Sequence, residues 1–97
     1  MPVELPSRAQ VVVVGGGVIG SSVAYHLAKL GWTDVVLLER DKLTSGTTWH
    51  AAGLIVSGGM TTETLAWMSK YTRELYEILE SETGLSTGFR PVGYVQT

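Results

Sequence analysis

The segment SGTTWHAAGL, from Ser45 to Leu54, contains a histidine among small and hydroxyl-bearing residues. A neutral imidazole is nucleophilic near neutral pH, so His50 can form a covalent bond. From the pattern alone, a loop histidine that is only hydrogen-bonded to the backbone is the simpler interpretation. Trp49 is expected to pack under the loop. The hydroxyls and uncrowded N–H groups around His50 are suited to binding an anion, and the candidate residues are Ser45, Thr47, Thr48, Ala52 and Gly53.

A glycine-rich turn precedes this segment. Gly15, Gly17 and Gly20 match the pattern GxGxxG directly after four valines. In such a turn the first glycine permits a tight bend, the second lets the backbone approach a pyrophosphate, and the third lets a helix pack closely. The N–H groups at the start of the helix, around Val18 and Ile19, would bind the anion without lysine or arginine. The pattern therefore predicts a phosphate site.

An acidic residue stands where a ribose would lie. Glu39 follows Gly20 by about twenty residues, the spacing at which a carboxylate accepts hydrogen bonds from the adenosine ribose. A 2′-phosphate would be repelled by this charge, which disfavours NADP and leaves FAD and NAD. The hydroxyl-rich loop after Glu39 favours FAD, because it offers a second approach to the pyrophosphate. Arg40 is a further candidate near the adenine, or a solvated charge.

The elements that must position these residues form an α/β pattern. A strand at 11–14, a helix at 18–30 and a strand at 35–39 make a Rossmann-like βαβ unit with an incomplete parallel sheet. Residues 1–10 are expected to be a flexible lead-in, and residues 40–60 a loop that contacts the flavin or pyrophosphate. A helix with a buried apolar stripe is predicted from Thr61 or Thr62 to Thr83, followed by a strand over 91–97.

Composition excludes several classes of protein. The net charge of −2 does not indicate a positively charged surface for binding nucleic acid or an anionic membrane. The absence of cysteine excludes disulfides and thiolate metal sites. No targeting segment is apparent, so a cytoplasmic and bacterial protein is expected, or a mitochondrial matrix protein if a presequence is missing. Two parallel strands cannot cover a doubly wound sheet, so the chain is expected to be the N-terminal fragment of a larger two-domain flavoprotein.

Three segments together carry a family resemblance. VVVVGGGVIGSSVAYHLAKLG, VVLLER and SGTTWHAAGL resemble the N-terminal region of the dimethylglycine and sarcosine dehydrogenase family. These are FAD-dependent proteins of the wider glycine/D-amino-acid oxidase group. The resemblance extends from about Gln10 to Thr97, and its most discriminating part is the Trp-His-Ala-Ala-Gly segment.

The resemblance implies oxidative demethylation of N-methylated glycine derivatives, with hydride transfer to FAD. It also implies tetrahydrofolate and an electron-transfer flavoprotein as partners of the whole protein, and a covalent bond from His50 to the flavin. No catalytic residue is expected within these residues, and the 97-residue chain alone is not expected to be active. The alternatives are a catalytically silent regulatory relative and a stand-alone dinucleotide-binding module.

Overall fold

The computed structural model describes residues 4–93 and 95. Its elements are the strand β1 (Val11–Val14), the helix α1 (Val18–Lys29), the strand β2 (Val35–Leu38) and the helix α2 (Glu63–Thr83). The described structure divides into two compact units, one ending at Ala52 and the other beginning at Gly53. The βαβ unit and the glycine-rich turn lie in the first unit.

The first unit has the predicted parallel connection. β1 pairs with β2 in parallel, with Val11 opposite Val35 and Val14 opposite Leu38. Consecutive β-branched residues favour extended backbone, which explains the strands. The helix α1 connects the two strands and contacts both of them. The sheet within the described residues has two strands. The α/β fold class and the incomplete sheet are therefore confirmed.

The apolar faces of β1 and β2 are incompletely covered, as expected for an incomplete part of a doubly wound sheet. A continuous run of valines is typical of a strand that is buried on both faces of a complete parallel sheet, but Val12 and Val14 are 52% and 82% exposed here. No apolar side chain among the described residues is buried. A face of a sheet is buried only when another element covers it, and the two strands were expected to be an incomplete sheet. Within the first unit, α1 is the helix that contacts β1 and β2.

In the second unit, α2 begins and ends where the sequence predicts. The side chain of Thr62 accepts a hydrogen bond from the N–H of Leu65 at 3.1 Å, which caps the helix. Gly84 follows the last helical residue. The ion pairs Lys70–Glu74 and Arg73–Glu77 lie along the exposed surface of the helix.

The predicted buried stripe of α2 is not buried. Leu75, Leu79 and Thr72, the predicted alternative to Tyr71, are half-buried. The other side chains of the stripe are exposed, namely Leu65, Met68, Tyr71 and Ile78. Helical periodicity identifies the face that would be buried, but burial requires a partner surface.

The predicted terminal strand is not present in the described part of the chain. Residues 91–93 and 95 are not in a strand, and Tyr94, Gln96 and Thr97 lie outside the described residues. Residues 1–3 of the predicted lead-in also lie outside them. At the end of the lead-in, the N–H of Gln10 donates to the backbone oxygen of Asp34 at 3.1 Å. Neither helix is long and apolar enough to cross a membrane, as judged over the described residues.

Candidate functional site

The glycine-rich turn connects β1 to α1 with little space for side chains. Gly15 has a φ of 107°, which L-residues with a side chain rarely adopt. Its N–H donates to the carbonyl of Leu38 at 2.8 Å, which continues the pairing of β1 with β2. A Cβ added at Gly20 would overlap the carbonyl oxygen of Gly15. Glycine at these positions therefore brings the start of α1 against the turn.

Glu39, which directly follows β2, is hydrogen-bonded to this turn. Its Oε1 accepts the N–H of Gly16 at 3.1 Å, and its Oε2 accepts the N–H of Asp41 at 2.8 Å. These two N–H groups, that of Asp41 contributing most, hold the pKa of the Glu39 carboxyl below its ordinary value of 4.5. Glu39 is therefore ionised near neutral pH, with lone pairs left to accept further hydrogen bonds.

The segment from Leu43 to Ala51, named the turn segment below, is more regular than the predicted loop. The N–H groups of Trp49, His50 and Ala51 each donate to the carbonyl three residues earlier, at 3.2, 3.0 and 3.3 Å. Thr44 has a φ of 64°, in the left-handed region that is strained for a β-branched residue. Its N–H donates to the carbonyl of Gly16 at 2.9 Å, which ties the turn segment to the glycine-rich turn.

A second tie joins the turn segment to the start of α1. The N–H of Val18 donates to the Oγ1 of Thr48 at 2.9 Å. A Cβ added at Gly17 would lie 2.9 Å from the same oxygen, so this approach requires glycine. The glycine-rich turn is therefore contacted by Glu39, Thr44 and Thr48, all of which follow it in the sequence.

A cleft of about 520 Å³ lies between these parts of the first unit. Among the described residues that line it, Glu39 is the only one with a charged side chain, and none is a lysine, arginine or histidine. Within the described structure, the N–H groups of Gly17, Ile19 and Gly20 have no protein acceptor. These donors and the partial positive charge of the helix N-terminus suit an anion.

His50 does not line the cleft. Its Nδ1 lies 2.8 Å from the carbonyl oxygen of Gly46. A carbonyl oxygen only accepts hydrogen bonds, so Nδ1 carries the proton of the neutral ring and Nε2 carries the lone pair. The Trp49 ring lies 5.7 Å from the His50 ring and is 70% exposed, so Trp49 does not pack under the loop as expected.

Most of the residues predicted from the sequence are brought together at the cleft: Gly15, Gly17, Val18, Ile19, Gly20, Glu39, Ser45, Thr47 and Thr48. Arg40, His50 and Ala52 do not line it, and Gly53 belongs to the second unit. Gly16 and Thr44 were not among the residues predicted from the sequence. The run of three glycines was a signal for Gly16, but nothing in the sequence distinguishes Thr44 from the threonines beside it.

The sequence that forms this site matches the model of a known protein family. A family model described as FAD-dependent oxidoreductase (DAO) matches residues 10–97. The chain belongs to this family. The matched residues include the glycine-rich turn, Glu39 and the turn segment, so the resemblance inferred from those motifs is confirmed at the level of the DAO family.

Three curated relatives cover nearly the whole of this DAO-family chain. Dimethylglycine dehydrogenase of Rattus norvegicus is 47% identical over 97 residues, which is 98% of this chain and 11% of that protein. Sarcosine dehydrogenase of Homo sapiens is 51% identical over 85 residues, covering 88% and 9% of the two chains. The pyruvate dehydrogenase phosphatase regulatory subunit of Mus musculus is 46% identical over 93 residues, covering 96% and 10%. The chain thus spans about a tenth of the length of these relatives.

The residues present fit the cofactor of the DAO family. A diphosphate needs donors close to the backbone, and the turn provides N–H groups without a protein acceptor beside residues that have no Cβ. A ribose hydroxyl can donate a hydrogen bond to a carboxylate, and Glu39 provides one that is ionised near neutral pH. The cleft lining and the family match thus agree on FAD.

Proposed function

We propose that this chain is the FAD-binding segment of an oxidoreductase that demethylates N-methylated glycine derivatives of the dimethylglycine or sarcosine type. The observation that carries the proposal is the joining of the glycine-rich turn, Glu39 and the turn segment around one cleft. The similarity to dimethylglycine and sarcosine dehydrogenases supports the substrate class.

The residues of the first unit have distinct tasks in this function. The glycine-rich turn would hold the diphosphate, and Glu39 would accept hydrogen bonds from the ribose hydroxyls. Arg40 adjoins Glu39 in sequence and its positive charge further lowers the pKa of that carboxyl. FAD, when bound, supplies the acceptor for the hydride that leaves the N-methyl group. Substrate binding and any catalytic base lie outside these residues in the proposal.

His50 is the residue proposed to hold the flavin covalently. Because Nδ1 is hydrogen-bonded to the carbonyl oxygen of Gly46, Nε2 would be the ring nitrogen that holds the flavin, and the flavin would supply the electrophilic carbon. Ala52 and Gly53 follow directly and add little bulk to the segment. A covalent bond would retain the cofactor and raise its reduction potential, as a protein can tune a bound flavin. Tetrahydrofolate and an electron-transfer flavoprotein are the partners proposed for the whole protein.

A regulatory role is the second candidate. The similarity to the pyruvate dehydrogenase phosphatase regulatory subunit favours it, because that relative is as similar to this chain as the rat dehydrogenase. Both candidates retain the dinucleotide site, and they differ in whether a bound flavin is reduced by substrate.

The test is anaerobic reduction of the flavin in the full-length gene product. Dimethylglycine and sarcosine are expected to bleach the flavin absorption, whereas glycine, which has no N-methyl group, is not. Bound flavin that none of these amines bleaches would favour the regulatory role. Protein purified without any flavin, and unable to bind added FAD, would overturn the proposal.

A further inference from the structure

Gly16 is the only buried residue in the described part of the chain. Its φ is not in the left-handed region, so an L-residue with a side chain could adopt the same backbone conformation. Gly16 does not line the cleft, so contact with a ligand there would not explain the glycine. The pattern GxGxxG places no requirement on this position. The reason for glycine at position 16 must therefore lie in its neighbours within the protein.

The space beside Gly16 is occupied by the side chain of Leu43. A Cβ added at Gly16 would lie 2.6 Å from Cδ2 of Leu43, and 3.1 Å from both Cβ and Cγ of Glu39. The distance to Leu43 is shorter than real Cβ contacts, whereas the contacts with Glu39 need a movement of a few tenths of an ångström. A methyl group at position 16 would therefore strain the packing of Leu43 or turn its side chain away.

Two hydrogen bonds of Gly16 flank this contact. The N–H of Gly16 donates to Oε1 of Glu39 at 3.1 Å, and its carbonyl oxygen accepts the N–H of Thr44 at 2.9 Å. Because Thr44 directly follows Leu43, the second bond keeps Leu43 next to Gly16. The bond to Glu39 is partly buried, and a hydrogen bond shielded from water is electrostatically stronger than an exposed one. Loss of the Leu43 side chain from this place would expose that bond.

We propose that Leu43 is a positioning residue for the dinucleotide site: its side chain packs on Gly16 and holds the glycine-rich turn in the form in which Gly16 donates to Glu39. This contact, rather than contact with a ligand, is the reason that position 16 is a glycine. The inference rests on the dinucleotide-binding function proposed above. Leu43 acts through Gly16 and Glu39 and touches no ligand in the proposal.

A pair of substitutions tests the contact. Cofactor-free full-length protein is prepared from cells starved of riboflavin, and ADP binding is measured by titration calorimetry. Gly16→Ala is expected to weaken ADP binding by about tenfold, within the usual range for overpacking. Leu43→Ala alone is expected to weaken it by less than about fivefold, because the Leu43 side chain is 62% exposed. The double variant is expected to bind ADP within about threefold of Leu43→Ala, because truncation of Leu43 makes room for the added methyl.

Gly20→Ala provides a matched background for the same rescue. A Cβ at Gly20 would overlap the carbonyl oxygen of Gly15 rather than Leu43, so Leu43→Ala is not expected to restore ADP binding to Gly20→Ala. Leu5→Ala controls for loss of an exposed leucine, since Leu5 is 67% exposed in the same unit, and it is not expected to rescue Gly16→Ala. A leucine that only stabilised the fold would give the opposite result, because its removal would weaken binding further.

If Gly16→Ala does not fold, the yield and Tm of the double variant measure the rescue, since truncation of Leu43 is expected to restore both. Wild-type affinity in Gly16→Ala, or a double variant that binds ADP no better than Gly16→Ala, would overturn the inference. Wild-type protein that binds neither ADP nor FAD would instead overturn the proposed function, and the comparison of Tm values would still test the contact of Leu43 with Gly16.

Discussion

The carboxylate of Glu39 accepts hydrogen bonds from the backbone, in addition to those proposed for it from the ribose hydroxyls. Its two oxygens accept separate N–H groups, one from Gly16 and one from Asp41. Both bonds lower the pKa of Glu39, so the ionised form is the one that holds the turn. Each oxygen keeps a lone pair, which permits ribose binding without release of the turn.

Replacement of Glu39 by glutamine tests this double role. Ribose binding alone predicts that glutamine, which still accepts hydrogen bonds, is a milder change than alanine. Glutamine has one acceptor oxygen, and its NH₂ group would face an N–H donor. We therefore expect Glu39→Gln to weaken ADP binding about as much as Glu39→Ala, by about tenfold in titration calorimetry. Wild-type affinity in the glutamine variant would mean that the backbone bonds contribute little.

The lowered pKa of Glu39 predicts a pH dependence of stability. The folded state favours the ionised carboxyl, so its stabilising effect is complete above the ordinary pKa of 4.5 and is lost as the pH falls through the lower folded value. The difference in Tm between the full-length wild type and Glu39→Gln should thus be constant from neutral pH to about pH 5 and then shrink in acid. A difference that grows in acid would contradict the assignment.

Replacement of His50 tests the proposed covalent bond. His50→Ala is expected to leave FAD bound but extractable by acid denaturation, because the Nε2 nucleophile is gone. Mass spectrometry of the peptide that contains residue 50 measures the flavin increment directly. His26→Ala is the control, since His26 lies in α1 and its Nδ1 contacts the backbone oxygen of Ser22 at 2.7 Å. Flavin that resists extraction from His50→Ala would place the bond elsewhere.

The residues that follow a known spacing could be selected from the sequence, although their contacts with a cofactor stay a prediction. The glycines of the GxGxxG pattern and Glu39 after β2 were selected in this way. The roles of Gly16, Thr44 and Thr48 in holding the turn were not predictable, because their contacts join residues far apart in sequence. Thr48 was selected for its hydroxyl, and only the structure shows that Val18 donates to it.

The element that depends most on close approach is α1, whose first turn contacts the glycine-rich turn at Gly20. An added methyl would overlap the backbone oxygen of Gly15, and backbone cannot move aside as a flexible side chain can. Gly20→Ala is expected to destabilise the full-length protein by about 1–3 kcal/mol, the usual range for overpacking. Chemical denaturation of the full-length protein measures this change.

Gly46→Ala is the matched control for that substitution. A Cβ at Gly46 would meet no atom within 4 Å, and its φ is not in the left-handed region. Its unfolding midpoint should be close to that of the wild type. Similar losses at Gly20 and Gly46 would show that glycine content matters rather than the approach of α1 to the turn.

The order and limits of β1, α1, β2 and α2 were predictable because their signals are local, whereas the strand predicted over 91–97 is absent from residues 91–93 and 95. Runs of valine and leucine define β1 and β2, and Thr62 with Gly84 defines α2. Burial was not predictable, since it depends on surfaces that lie far away in sequence or in another part of the protein. The apolar stripe of α2 and both faces of β1 illustrate this difference.

Over the described chain as a whole, large apolar side chains remain exposed in both units. Ile19 is 79% exposed in the first unit and Leu85 is 73% exposed in the second. Exposed apolar patches favour association and dye binding. The isolated 97-residue chain is therefore expected to bind a hydrophobic fluorescent dye strongly and to unfold without a sharp transition. Full-length protein is the control, and cooperative unfolding of the isolated chain without dye binding would contradict this expectation.

The dependence of the glycine-rich turn on later residues has a consequence for synthesis on the ribosome. The chain emerges from its N-terminus, so Gly15 to Gly20 leave the ribosome before Glu39 and Thr48. Until those residues follow, the N–H groups of Gly16 and Val18 have neither of the acceptors seen in the structure. A nascent chain that ends in α1 therefore contains the glycine-rich turn but not the residues that complete the proposed site. The cofactor would bind only after the turn segment has been synthesised.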